Sequence, residues 1–209
     1  MTVDSPDHAQ STSEVFLGLK TLGEGERISL GALTAALGDR AFGLLVLIFA
    51  LPNIIPMIPG VSTVSGIVIA VVGLQMLIGR RDPWLPATLA DRTLPREQLA
   101  SMVDRTVSWV VKLEAVAKPR WTFMTRGAMR LALGAMFVLL GGILALPLSW
   151  IGNFPPGVAL VVLSVGFLEE DGMLVAAGHA IGILATLLVV ALVAALVAAA
   201  LVSFGWLAG

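Results

Sequence analysis

Cysteine is absent from the 209 residues, and histidine occurs only twice. The first absence excludes disulfides, thiolate metal sites and a cysteine nucleophile. The second, with His8 in a polar tail and His179 in an apolar run, leaves no multi-histidine site. No metal or cofactor is therefore expected. Charge is scarce as well. Asp, Glu, Lys and Arg make up 13% of the chain and hydrophobic residues 57%, whereas a soluble domain usually carries about 25% charged residues. Such a chain cannot clothe a water-facing surface in the usual way. The first fourteen residues lack the basic start and apolar stretch of a signal peptide, so internal hydrophobic helices are expected to direct insertion. No G-x-S-x-G, H-E-x-x-H, P-loop or G-x-G-x-x-G motif stands in a suitable context, and no nucleophile–base pair is visible. The reading is that of a non-enzyme with no catalytic residue.

What the chain has is apolar length. Runs at 41–51, 61–78, 131–146, 157–168 and 173–207 give a mean hydropathy of +0.95. They predict an all-α, multi-pass integral membrane protein. A tail is expected over 1–14, a first helical hairpin over 15–82, an amphipathic interfacial segment over 83–126, and a second hairpin with a C-terminal membrane helix over 127–209. Ser29 is placed as an N-cap before Leu30. Asp39 and Arg40 interrupt the helix that follows. The run 41–51 reaches roughly 16 Å, about half of a ~30 Å hydrocarbon core, before Leu51-Pro52-Asn53 ends it. Ser62, Gly66, Ala70 and Gly73 form one small face of the next helix, which suits close packing. A short helix is expected over Val158 to Leu168, and the last apolar stretch is expected to bend near Gly178 or Gly182.

Ten of the thirteen Lys and Arg residues fall between Arg80 and Arg130. The positive-inside rule places residues 80–126, and with them the N-terminus, in the cytoplasm. Trp84, Trp109 and Trp121 suit the headgroup level. Arg80 and Arg81 read as anchors to anionic headgroups. The basic stretch is flanked by apolar runs, which argues against nucleic acid.

Two segments share a plan. ALPNIIPMIPGVSTVSG at 50–66 and ALPLSWIGNFPPGVALVVLSVG at 145–166 each run from an apolar helix through Ala-Leu-Pro and an Asn-containing loop to Pro-Gly-Val and another apolar helix. This is the pattern of proline-broken, re-entrant hairpin repeats, whose broken helices often hold substrate. The candidate substrate or ion site is accordingly Asn53, Pro56, Pro59, Gly60, Ser62, Thr63, Asn153, Pro155, Pro156 and Gly157. The bland reading is two turns whose polar groups satisfy one another. A second candidate site is charged: Asp39, Arg40, Arg80, Arg81, Glu169, Glu170 and Asp171. Its bland reading makes Asp39-Arg40 a self-neutralised interfacial pair and Asp171 the cap of a helix beginning at Met173. His179, between Gly178 and Gly182, reads as part of a close helix contact.

The run LGDRAFGLLVLIFALPNIIPMIPGVSTVSG with LIGRRDPWLP, and later ALPLSWIGNFPPG with GFLEEDGMLVAAG, resembles the exopolysaccharide synthesis ExoD family of bacterial inner-membrane proteins. The resemblance covers roughly residues 29 to 190 and implies a role in exopolysaccharide production, without implying a reaction or an active site. The expected function is binding or movement of an anionic lipid-linked or saccharide substrate. The alternatives are a small ion or proton transporter, and a membrane scaffold for a polysaccharide-synthesis complex. Candidate partners are membrane lipids, a second copy of the chain and polysaccharide-synthesis proteins.

Overall fold

The computed structural model describes residues 12–21, 26–54, 60–84, 87–97, 99–101, 103–104, 107, 111, 117, 119–146 and 150–208. Most of the expected 1–14 tail, and Pro56 and Pro59, lie outside the described residues. Eight helices are present among them: α1 Thr12–Gly18, α2 Leu30–Leu37, α3 Arg40–Ala50, α4 Val61–Leu77, α5 Ala87–Ala90, α6 Gly127–Ala145, α7 Trp150–Leu168 and α8 Gly172–Ala208. The expectation of an all-α chain with long apolar helices is met in its main features. Gly127–Ala145 and Gly172–Ser203 are long and apolar enough to cross a membrane.

The helix boundaries follow local chemistry. Ser29 caps α2, its hydroxyl accepting from the Ala32 amide at 3.2 Å. Gly38, at φ +53°, ends α2 in a conformation that favours glycine. The chain then turns through 113° into α3 and its 3₁₀ extension Leu51–Asn53.

A four-helix packing unit forms from α3, α4, α6 and α7, with α8 along its side. Helix α4 runs against α6, and α3 against α7. The small face expected on α4 is the contact surface. A Cβ at Gly66 would stand 2.5 Å from the Gly141 carbonyl, and one at Gly73 only 2.7 Å from the Gly134 carbonyl. From the other side, a Cβ at Gly141 would meet the Ala70 amide at 2.7 Å. The two backbones therefore touch, antiparallel, through glycines on both helices. Phe42, Val46, Ile69, Phe137, Leu140 and Leu163 fill the core between the helices. The outer faces are apolar too: Val64, Ile67, Val71 and Leu74 on α4 are all exposed. A water-soluble bundle would carry polar residues there.

A second, smaller core lies at one end of this bundle. Leu19, Ile28, Leu33 and Leu37 meet Leu99 and Val103. The contact is fixed by a two-stranded antiparallel sheet, β1 Arg27–Ser29 with β2 Thr93–Pro95, in which Ile28 faces Leu94. Lys20 pairs with Asp104 across the same layer. Leu19, Ile28, Leu33 and Leu37 thus pack with Leu99 and Val103, although the sequence plan divided them between a hairpin and an interfacial segment.

Three expectations are corrected. The helix after the second Ala-Leu-Pro begins at Trp150, not Val158, so Pro155 and Pro156 sit inside α7. Proline's fixed φ is compatible with a helix, and the loss falls in the first two turns. Packing of the whole stretch on α3 and α8 overrides the local penalty. The C-terminal stretch does not break at Gly178 or Gly182, since α8 is one continuous helix of 37 residues. Those glycines serve packing: a Cβ at Gly178 would lie 2.6 Å from Leu163 Cγ, and one at Gly182 would lie 3.0 Å from Met136 Sδ. Finally, Asp39 does not neutralise its neighbour Arg40 but pairs with Arg130 at 2.8 Å. The 113° turn carries its carboxylate to the first turn of α6.

Candidate binding site

The bundle has two chemically different ends. At one, α3 and α6 finish and α4 and α7 begin, and it carries no charged residue: 41–79 and 131–168 are free of Asp, Glu, Lys and Arg. At the other stand all seven charged candidates.

The uncharged end is built around Asn53. Pro52 tightens the end of α3 into a 3₁₀ turn. This turns the Asn53 side chain inward, where it is 3% exposed. Its Nδ2 donates to the Phe49 carbonyl at 2.7 Å. That bond fixes the amide's orientation and leaves Oδ1 buried, with no hydrogen-bond partner among the described residues. Such an acceptor is uncommon in a folded interior. Gly157 packs directly on Asn53: a Cβ there would lie 3.2 Å from Asn53 Cβ and 3.6 Å from the Asn53 backbone carbonyl oxygen. Glycine is what allows the two segments to approach.

Asn153 lies one turn before Gly157 on the same face of α7 and is 4% exposed. Pro156 and Gly157 are buried beside it, and Pro155 is half-buried. Gly60, at φ +91°, opens α4 at the same end without a side-chain cap, and Ser62 and Thr63 stand half-buried in its first turn. The structure therefore brings Asn53, Asn153, Pro156 and Gly157 to one seam between the hairpins. Pro56 and Pro59 lie outside the described residues.

At the charged end the candidates resolve into struts. Arg130 is the only charged residue of α6, and its side chain is 12% exposed. It reaches Asp39, donates to the Arg80 carbonyl at 2.5 Å and lies over the Phe42 ring at 5.4 Å. One side chain thus ties the start of α3, the end of α4 and the start of α6. Arg130 and Phe42 were not among the sequence candidates. A single arginine in an otherwise apolar helix was the available signal. Arg80 and Arg81 are exposed after α4, and Arg40 is half-buried.

The acidic run closes the α7–α8 joint. Asp171 is fully buried and accepts from the Met173 amide at 2.9 Å and the Leu174 amide at 3.3 Å. Arg120 meets its other oxygen at 3.2 Å. The expected cap is present. Glu170, at φ +51°, pairs with Arg126 at 2.8 Å, and Glu169 is buried at 9% exposure. His179 Nδ1 bonds the Val175 carbonyl one turn back, at 2.8 Å. Among the described residues no group of three His, Cys, Asp or Glu side chains could hold a metal ion.

Comparison with known proteins bears out the family resemblance. The sequence model of the family described as "Exopolysaccharide synthesis, ExoD" matches residues 12–191. Protein ExoD of Rhizobium meliloti (strain 1021) is 35% identical over 183 residues, covering 86% of this chain and 76% of that protein. An uncharacterised protein of Synechocystis sp. is 28% identical over 170 residues, 79% of each chain. No solved structure matches.

Proposed function

The chain belongs to the exopolysaccharide synthesis ExoD family, and from that premise we propose that it is a non-enzymatic inner-membrane component of exopolysaccharide production. It binds or moves an anionic lipid-linked or saccharide substrate at the seam between its hairpins. Residues 80–126 and the N-terminus face the cytoplasm, and Arg80 and Arg81 contact anionic headgroups. Apolar outer faces and two helices of spanning length support the membrane placement.

In this reading α3–α4 and α6–α7 are two repeats. The pairing of α4 with α6 and of α3 with α7 is the exchange that a pseudo-two-fold relation produces. The observation that carries the site is Asn53, buried and seated on Gly157 of the other hairpin. Buried polar groups at the contact of two broken hairpins are where transporters hold substrate. Complementation of a deletion strain tests it. Wild type is expected to restore exopolysaccharide output. Asn53→Ala and Asn153→Ala should each lower output at unchanged membrane abundance, with a combined effect smaller than the product of the two. Full complementation by the double variant removes the seam from the function.

A further inference from the structure

We propose that the seam at Asn53 also holds a monovalent metal cation of Na⁺ or K⁺ size. The reason is a buried acceptor left without a donor. Asn53 Oδ1 is buried and has no hydrogen-bond partner among the described residues, while its own Nδ2 is occupied by the Phe49 carbonyl. The backbone around it has lost donors for a covalent reason. Position 52 is proline, so the Ile48 carbonyl of α3 has no amide four residues on, although Ile48 and Pro52 face outward while Asn53 faces inward. Pro155 and Pro156 do the same to the Ile151 and Gly152 carbonyls of α7. These oxygens point along their helix axes toward the missing amides. Asn53 itself lies at the C-terminal end of α3, where the helix dipole is negative and favours a cation. The Ile151 and Gly152 carbonyls lie on the turn of α7 that precedes Gly157, the residue packed on Asn53.

The charge inventory selects the ligand class. With no Asp or Glu in 41–79 or 131–168, a divalent cation would be left uncompensated, and with no Lys or Arg the seam's own side chains offer an anionic substrate no counter-charge, which a bound monovalent cation would supply. Neutral carbonyl and amide oxygens suit a singly charged hard cation, as they do where broken helices and unwound backbone coordinate Na⁺. A water molecule or a sugar hydroxyl brings donors without charge, and its binding would not depend on which salt is present. The inference uses the seam of the proposed function but not its substrate, so loss of exopolysaccharide in a variant strain leaves it standing and its own failure leaves that reading standing.

The test uses the purified full chain in detergent or nanodiscs. Thermal unfolding is followed in rising NaCl or KCl against choline chloride at equal ionic strength, and binding of radiolabelled Na⁺ and Rb⁺ is measured directly. A saturable rise in Tm with one alkali cation, and saturable binding of it, are expected for wild type. Asn53→Ala should lose both. Asn53→Asp, which keeps an oxygen and adds charge, should bind at least about tenfold tighter. Identical unfolding in all three salts overturns the proposal, as does an Asn53→Ala protein that keeps the full response. If Asn53→Ala does not accumulate, Asn53→Asp decides, and an unchanged affinity in that variant overturns the site.

Discussion

Asp39 and Arg130 are 91 residues apart in sequence and meet at 2.8 Å, at the end of the bundle where both α3 and α6 begin. The two partners are unequal. The Asp39 side chain is 53% exposed and that of Arg130 is 12% exposed. Asp39→Asn should therefore cost less than about 1 kcal/mol, as for an exposed pair. Arg130→Ala also strips the Arg80 carbonyl of its donor and uncovers the Phe42 ring, and should cost about 2 kcal/mol or more. Chemical denaturation in detergent separates the two. Equal losses would show that the ion pair alone, and not the arginine's further contacts, holds this junction.

Gly66 tests the backbone contact of α4 with α6. A Cβ there already stands 2.5 Å from the Gly141 carbonyl, so Gly66→Leu must push the helices apart. Gly66→Ala should lower the unfolding temperature and Gly66→Leu should abolish a stable fold. Leu74→Ile, on the exposed outer face of the same helix, should change little. Similar melting of Gly66→Leu and Leu74→Ile would contradict the close approach.

Much of this was legible in the sequence because it rests on local rules. Ser29 precedes an apolar run, Asp171 precedes another, and the spacing of Gly66, Ala70 and Gly73 marks one helical face. These rules need only neighbouring residues. The errors came where distant residues decide. Pro155 and Pro156 looked like a loop, but packing on α3 and α8 holds them in a helix. Gly178 and Gly182 looked like bend points, but Leu163 and Met136 fill the space against them. Asp39 had an adjacent arginine in sequence, and the partner it uses belongs to another helix. At the seam, the two asparagines and their flanking prolines were read as one unit from matched sequence. That Gly157 is the residue seated on Asn53 depends on how the hairpins cross, which one sequence does not encode locally.

Asp171 combines two duties that substitution can separate. Asn at this position keeps an oxygen to accept from the Met173 and Leu174 amides but removes the charge that meets Arg120. Unfolding stability should fall in the order wild type, Asp171→Asn, Asp171→Ala. The alanine variant should lose about 2–4 kcal/mol, because a fully buried position loses both cap and pair. Arg120→Met should destabilise wild type and have little further effect on Asp171→Asn. Additive losses would place Arg120's role elsewhere.

Orientation can be read directly, because the chain has no cysteine. Ser101 is exposed, so Ser101→Cys offers a single thiol within the basic segment. An impermeant maleimide should leave it unlabelled in intact cells and label it after permeabilisation. Labelling in intact cells would invert the proposed topology and leave the bundle itself unaffected.

The prolines of α7 offer the sharpest separation of stability from function. Proline inside a helix costs about 3 kcal/mol relative to alanine in an ordinary setting, less near the N-terminus. Pro156→Ala restores an amide donor four residues after Gly152, within a helix that is already formed. If the prolines serve only as structure, the variant should be as stable or more so and should function normally. If the freed carbonyls belong to a site with Asn53, the new amide satisfies the Gly152 oxygen and withdraws it from the ligand. Pro156→Ala should then unfold at a higher temperature than wild type, respond less to alkali cations, and complement a deletion strain poorly at normal abundance. This trade is expected wherever a fold holds an unsatisfied group for use. Pro155→Ala, acting on the neighbouring Ile151 carbonyl, should behave in the same direction. A Pro156→Ala protein that is more stable and fully active in both assays would reduce the prolines to helix geometry and remove the backbone carbonyls of α7 from the site.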